Sequence, residues 1–518
     1  MREPLILTFD IGTQSMRAML VNKKGDILDF EQKRYERPYI ARNPGWAEQR
    51  PDFYFDCLAE VANLLCKKRS DLIANIIAVT MTTIRDTVLC LDKDIKPLRD
   101  IVLWLDKREA NLQFQLPTYK RMLFKLVKQS DTVDMQYRQS ICNWIMENEP
   151  ELWAKTYKFV MLPTYLNYKL TGVLKDSTAN MIGHIPMDYK NSKWMSERGL
   201  TRCLFDVPMS KLCELVNPGD IIGNITDEVS EKIGLPKGLP LIVTGSDKSC
   251  ETLGLSVHKK NQASLSFGTT ATVQFATADY FEPMPFVPSY PSVVHGMYNP
   301  EIQIYRGYWM LSWFKKEFAA KEVEQAKELG ISAEELLNKR LKEVPAGCDG
   351  LVLQPFWGPG VSNPNARGSI IGFSDVHTRI HIYRAIIEGI GFALIDGMKN
   401  MEKRGKQKIT EIYVGGGGSQ SDEICQITAN MFGLKVKRIQ THEACGLGAS
   451  MIAFKGMGEF KTIDEAIENM ARDTDIFTPD ENEHKIYTQL YENVYCKVYG
   501  KLEPLYKTIK RITRRDEI

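Results

Sequence analysis

Leu239-Pro240-Leu241-Ile242-Val243-Thr244-Gly245-Ser246-Asp247-Lys248 carries the chain from an apolar run into an acidic turn. The apolar half predicts a short buried strand. Gly245 and Ser246 mark a tight turn, and Ser249 to Leu255 continue with helix-compatible residues and no Pro. Asp247 therefore falls at a strand-to-helix junction, where a carboxylate is well placed to act on a substrate. Helix N–H groups are expected to keep it ionised there. The same position equally suits an Asp that only caps the helix. The flanking sequence bears on that choice.

A chain of 518 residues is too long for one core, so two or three domains are expected. Hydrophobic content of 43% and charged content of 25% are ordinary for a soluble globular protein. Lys+Arg 67 against Asp+Glu 65 leaves +2, which argues against broad nucleic-acid binding. No apolar run has the length of a membrane span, and the first residues lead directly into a strand, so neither membrane nor leader is expected. Eleven Cys without a Cys-x-x-Cys pair point to a reducing cytoplasm. Seven scattered His predict no zinc site.

Upstream, Leu5 to Phe9, Met16 to Val21 and Ile27 to Tyr35 read as three strands. Between the first two lies Asp10-Ile11-Gly12-Thr13-Gln14-Ser15. Gly12 permits close backbone approach, and Thr13, Gln14 and Ser15 offer hydroxyls, an amide and N–H groups to phosphate oxygens. Asp10 is placed to hold a phosphate-bound Mg²⁺, and Arg17 to neutralise phosphate charge. A plain polar hairpin remains the alternative. Ala263 to Val273 repeats the pattern through Gly268 and Thr269. Two such hairpins suggest duplicated halves.

Thr82-Thr83-Ile84-Arg85-Asp86 lies between two predicted strands. An Arg that donates beside an Asp that accepts can grip vicinal hydroxyls; a structural ion pair would look the same. Trp104-Leu105-Asp106-Lys107-Arg108 offers an aromatic face beside charges, which suits a polyol as well as a core. Pro51 to Lys67, Ser140 to Lys158, Leu162 to Leu170 and Tyr383 to Lys399 are expected as helices. Gln354 to Gly372 is expected as a loop. Gly415-Gly416-Gly417-Gly418-Ser419-Gln420-Ser421 follows a strand and opens a helix. Such a run lets backbone lie flat against a ligand; a flexible turn is the alternative. Gly446-Leu447-Gly448-Ala449 reads as close helix packing. The helical tail ends in Lys510, Arg511, Arg514 and Arg515, a solvated face.

In this order, these segments resemble the FGGY family of carbohydrate kinases, in the actin-like ATPase superfamily. Leu7 to Arg17 is similar to the first phosphate motif, Gly45-Trp46-Ala47-Glu48-Gln49 to an early loop, and Ser266 to Thr270 to the second phosphate motif. Gly245-Ser246-Asp247-Lys248 is similar to the segment carrying the catalytic base. Gly368 to Glu388 fits the C-terminal signature except at Phe373, and Gly416 to Ser421 with Gln426 fits the adenosine motif. Around Asn143-Trp144 the N-terminal signature departs, with Ile141 in place of a Lys. Arg85-Asp86-Thr87 and the Trp104 segment look more like the glycerol kinase branch than the xylulokinase branch.

The resemblance implies an α/β chain of two ribonuclease H-like domains flanking a nucleotide cleft, residues 1–250 and 251–518. It implies ATP-dependent phosphorylation of a small sugar or polyol, with ATP and Mg²⁺ as cofactors. Asp247 would be the catalytic base and contact the acceptor together with Arg85, Asp86 and Trp104. Gly12, Thr13, Gln14, Arg17, Gly268 and Thr269 would hold phosphates, with Asp10 on the metal. Gly416, Gly417, Gly418 and Ser421 would lie against adenosine. A homodimer stays open. The competing expectations are glycerol kinase proper and a nucleotide-switched interaction protein without transfer activity.

Overall fold

A computed structural model describes residues 3–111, 122, 124–126, 130–199, 201–285, 287–358, 363 and 365–513. The chain divides into two compact units. The first takes in Met1–Gly254, Tyr290–Tyr298 and Glu443–Ala471. The second takes in Leu255–Ser289, Asn299–His442 and Arg472–Ile518.

The first unit is built on a six-stranded sheet in the order Ile27–Arg34, Ser15–Asn22, Leu5–Ile11, Ile76–Thr83, Pro240–Ser246, Ile221–Asn224. Successive pairs run antiparallel, antiparallel, parallel, parallel, antiparallel. The central strand, Leu5–Ile11, is buried along its whole length, as expected where both sheet faces are covered. Its polar residues find partners inside: the Thr8 hydroxyl meets that of Ser450 at 2.7 Å. Thr82 and Thr244 hydroxyls donate to the carbonyls of Gly245 and Met81.

The second unit repeats the arrangement. Its sheet runs Glu301–Ile304, Ala271–Phe275, Gln262–Phe267, Glu411–Gly415, Lys435–Ile439, Asp473–Phe477. The same five relations recur in the same order. The duplication suggested by two short Gly-Thr hairpins thus extends to whole sheets. Helix Arg379–Gly405 packs along the second sheet.

Helix Asp247–Gly254 lies against helix Ala444–Gly456 in the first unit. A Cβ on Gly254 would stand 2.0 Å from the Ala444 carbonyl oxygen, and one on Gly448 2.0 Å from that of Cys250. The small residues at 446–449 serve close packing.

Two expectations need correction. Ser140 to Lys158 is not one helix: it divides into Ile141–Asn148 and Pro150–Lys155. Pro150 lacks an N–H and pushes Glu149 out of helical geometry, to φ −131° and ψ 54°. Lys158 itself starts a strand, Lys158–Met161, paired with Val88–Leu91. Inside the expected loop, Ser369–Ile371 pairs with Val352–Gln354. Arg514 and Arg515 of the basic tail lie outside the described residues. Among the described residues no helix is long and apolar enough to cross a membrane.

Candidate active site

Three mutually parallel strands of the first sheet end side by side. Ile11 pairs with Thr83, and Thr83 with Ser246. Their continuations are therefore neighbours: the Gly12 turn, the Arg85-Asp86 turn and Asp247. Loops beyond the carboxyl ends of parallel strands are the usual ligand sites of α/β sheets.

Asp247 is the first residue of its helix. Its Oδ1 accepts from the Lys248 N–H at 2.8 Å and lies 3.9 Å from Arg85 Nε. The bond comes from the adjacent residue, not from N–H groups further into the turn as in a cap. Burial raises the Asp247 pKa, although Arg85 and Lys248 pull it down. Desolvation thus outweighs the helix terminus that was expected to keep the group ionised.

Asp10, in the central strand, is pushed up to about 7. Burial is the main cause, Arg17 works against it, and Glu443, Asp247 and Glu251 add to it. Arg17 reaches Asp10 at 3.6 Å and Glu443 at 3.0 Å. It is tied between two carboxylates, so part of the charge assigned to phosphate is already engaged. Lys248 is paired with Glu251 at 2.7 Å. Among the described residues, no three His, Cys, Asp or Glu side chains gather closely enough to hold a metal ion alone. Asp10, a buried carboxylate with acidic neighbours, would suit a hard cation, which would supply positive charge there.

The Gly12 N–H donates to the Ser15 carbonyl at 3.0 Å, closing the hairpin. Thr13 Oγ1 accepts from the Trp104 indole at 2.9 Å. Trp104 is 44% exposed. Gln14 is exposed on the turn. The rest of the Trp104 segment points elsewhere. Arg108 is buried, paired with Asp106 and Glu48, and stacked on Trp46 and Trp144 at 3.8 and 4.7 Å. The Gly45–Gln49 loop and Trp144 thus belong to a buried ion network, not to the loops around Asp247. Arg85 lies over the Tyr290 ring at 5.6 Å. Asp86 adopts φ 47° and is held by His184.

Because the sheets repeat, the Gly415–Gly418 turn follows the strand of the second unit that corresponds to Ile76–Thr83 in the first. Gly416 has φ 80°, and its Cβ would meet the Phe267 backbone at 2.9 Å. A Cβ on Gly418 would meet the Tyr308 ring at 2.7 Å, whereas Gly417 faces open space. Two of these glycines are thus needed by packing, and Gly417 presents bare backbone. Ser421 caps helix Asp422–Phe432 by accepting from the Ile424 N–H. The Gln426 amide donates to Thr478 O and Asn430 Oδ1. Gly268 and Thr269 carbonyls accept from Tyr308 and Trp309. In the C-terminal signature, Arg384 and Glu388 form a buried pair at 2.8 Å. Phe373, where the signature departs, is 57% exposed.

Sequence reasoning missed Glu251, Glu443, His184 and Tyr290. Glu251 sits one helical turn after Asp247, a spacing that puts both on one face. The other three come from distant segments with no local signal.

The two α/β units thus share one sheet topology, each with a Gly-Thr hairpin and a turn at the end of its parallel strands. Family models agree along most of the chain. The N-terminal domain of the FGGY family of carbohydrate kinases matches residues 5–254, and its C-terminal domain residues 263–457. The chain belongs to the FGGY family of carbohydrate kinases, and it transfers a phosphoryl group from ATP to a hydroxyl of a sugar or polyol. It is 27% identical over 531 residues to a xylulose kinase of Staphylococcus epidermidis, covering 99% of this chain and 100% of that one. A gluconokinase of Bacillus licheniformis is 25% identical, with 94% of each chain covered. The gluconate kinase structure from Lactobacillus acidophilus superposes with TM-score 0.83 at 22% identity, covering 98% and 100%. A glycerol kinase structure from Plasmodium falciparum also superposes, with TM-score 0.78 at 19% identity, covering 95% and 98%.

Proposed function

We propose that the acceptor is a small neutral ketose or polyol and that Asp247 takes the proton of its attacking hydroxyl. The observation that carries this is the meeting of Asp247 and Arg85 at 3.9 Å, with Asp86 beside them. Arg85 would donate to the acceptor and Asp86 would accept from its hydroxyls. Arg85 is already engaged by the Asp247 carboxylate, and Asp86 accepts from the His184 ring. That balance favours an uncharged acceptor, as in the xylulose kinases, over the acidic one named by the gluconokinases. Phosphoryl transfer depends more on position and charge neutralisation than on base strength.

Gly12, Thr13, Gln14 and Arg17 are assigned to the phosphates of ATP, as are Gly268 and Thr269 of the second unit. Gly416, Gly417 and Gly418 are assigned to adenosine, and Ser421 supports that turn as a helix cap. Asp10 would hold Mg²⁺, which would supply positive charge to the phosphates. Trp104, fixed to Thr13, would lie beside the acceptor.

The test is ADP release from ATP·Mg²⁺ with glycerol, xylitol, ribitol, D-xylulose, D-ribulose and gluconate. One strong neutral acceptor supports the proposal. Gluconate as sole acceptor would overturn the neutral assignment, and background hydrolysis indifferent to all six would overturn transfer.

A further inference from the structure

Three hydrogen bonds lock the Arg85-Asp86 turn to a segment nearly a hundred residues away. The Asp86 N–H donates to the Ile182 carbonyl at 3.0 Å. The His184 N–H donates to Asp86 Oδ1 at 3.1 Å, and the His184 ring nitrogen Nδ1 to Asp86 Oδ2 at 2.7 Å. A carboxylate only accepts, so Nδ1 carries the proton. Gly183, with φ 155°, lets the two segments close up: a Cβ there would stand 2.2 Å from Asp86 Oδ1. The Tyr189 hydroxyl, itself buried, donates to the Gly183 carbonyl at 2.9 Å, and Ser140 Oγ to the His184 carbonyl at 3.2 Å. Burial works against a charged imidazole, yet Asp86 leaves the His184 pKa raised overall.

We propose that His184 is a positioning residue for the acceptor: it fixes the Asp86 carboxylate in the orientation in which that group receives the acceptor's vicinal hydroxyls. The inference rests on the reading that Arg85 and Asp86 grip the acceptor. Asp86 stands in the left-handed backbone region, which few non-glycine residues adopt. Its side chain would otherwise choose among rotamers. With one donor on each oxygen, both oxygens keep a lone pair for the acceptor. A carboxylate fixed before binding loses no freedom when the acceptor arrives.

The experiment compares His184→Ala, His184→Asn and Asp86→Ala, measuring kcat and both KM values, with D-xylulose or the fastest acceptor of the panel above. Losing a hydrogen bond to a charged group predicts a rise of about tenfold or more in acceptor KM for His184→Ala. The ATP KM should stay within about twofold, because the proposal assigns this turn to the acceptor and not to the nucleotide. His184→Asn carries an N–H close to the Nδ1 position and should return the acceptor KM to within about threefold of the wild type. A purely structural role would instead lower thermal stability and kcat and shift both KM values, with no rescue by Asn, and would overturn the proposal. Asp86→Ala separates this failure from a wider one. If Asp86→Ala raises the acceptor KM and His184→Ala does not, only the role of His184 falls. If Asp86→Ala leaves it unchanged, the placement of the acceptor falls as well.

Discussion

Gly254→Ala adds one methyl group where none fits. The new Cβ would stand 2.0 Å from the Ala444 carbonyl oxygen and 2.8 Å from its carbon. An ordinary contact needs about 3.4 Å, so the two helices must part by at least about 1.4 Å. The obstacle is backbone, and no rotamer change relieves it. Overpacking of this kind costs about 1–3 kcal/mol, and a backbone obstacle places this substitution at the upper end. For a unit of this size that corresponds to about 5–10 °C in Tm. There is a functional cost too. Helix Asp247–Gly254 carries Asp247, the proposed base, and Glu443, paired with Arg17, directly precedes the helix it would be pushed from. A displacement of about 1 Å at the base is worth about a hundredfold in rate. Thermal unfolding and steady-state turnover measured on the same preparation check both parts. A Gly254→Ala protein with unchanged Tm and unchanged kcat would refute the close packing from which the site geometry is argued.

Arg85→Ala should raise the acceptor KM by about tenfold or more while the ATP KM changes little; equal shifts in both would move Arg85 out of the acceptor site. Gly417→Ala should fold normally, because a Cβ there meets nothing within 4 Å. If adenosine lies against this backbone, its ATP KM should still rise by about tenfold, and an unchanged ATP KM would remove the glycine run from the nucleotide site. Turnover should fall as pH is lowered, because the base must be ionised and its pKa is raised by burial. The acid limb should therefore sit above the usual Asp value of about 4, and a limb below that value would contradict the environment described for Asp247.

The strands around the site were legible because they are short apolar runs bounded by Gly, Asn and Asp turns. Leu5–Ile11 and Pro240–Ser246 lie where those runs predict. Even the duplication showed in two Gly-Thr hairpins, each joining the first antiparallel strand pair of its unit. The break at Pro150 was missed because apolar spacing continued through it, although a Pro in mid-helix should have ended the element. Arg85 lies beside Asp247 and Asp86 beside His184, whereas the residues of Trp104 to Arg108 divide between two places. Trp104 faces Thr13, while Arg108 is buried between two Trp rings. Local sequence holds no record of which side of a turn is buried. Nor does it record the ionisation of Asp247 and Asp10, which depends on desolvation and, for Asp10, on Glu443, more than four hundred residues beyond it. His184 and Tyr290 meet Asp86 and Arg85 only after folding.

The central claim is that Asp247 accepts the proton of the attacking hydroxyl, and Asp247→Asn tests it most directly. The substitution keeps size and shape and removes the basic oxygen. ADP release with saturating acceptor should fall by at least about a thousandfold, while ATP binding measured by titration stays within about threefold of the wild type. Turnover within tenfold of the wild type, in a variant that still binds ATP, would contradict the account.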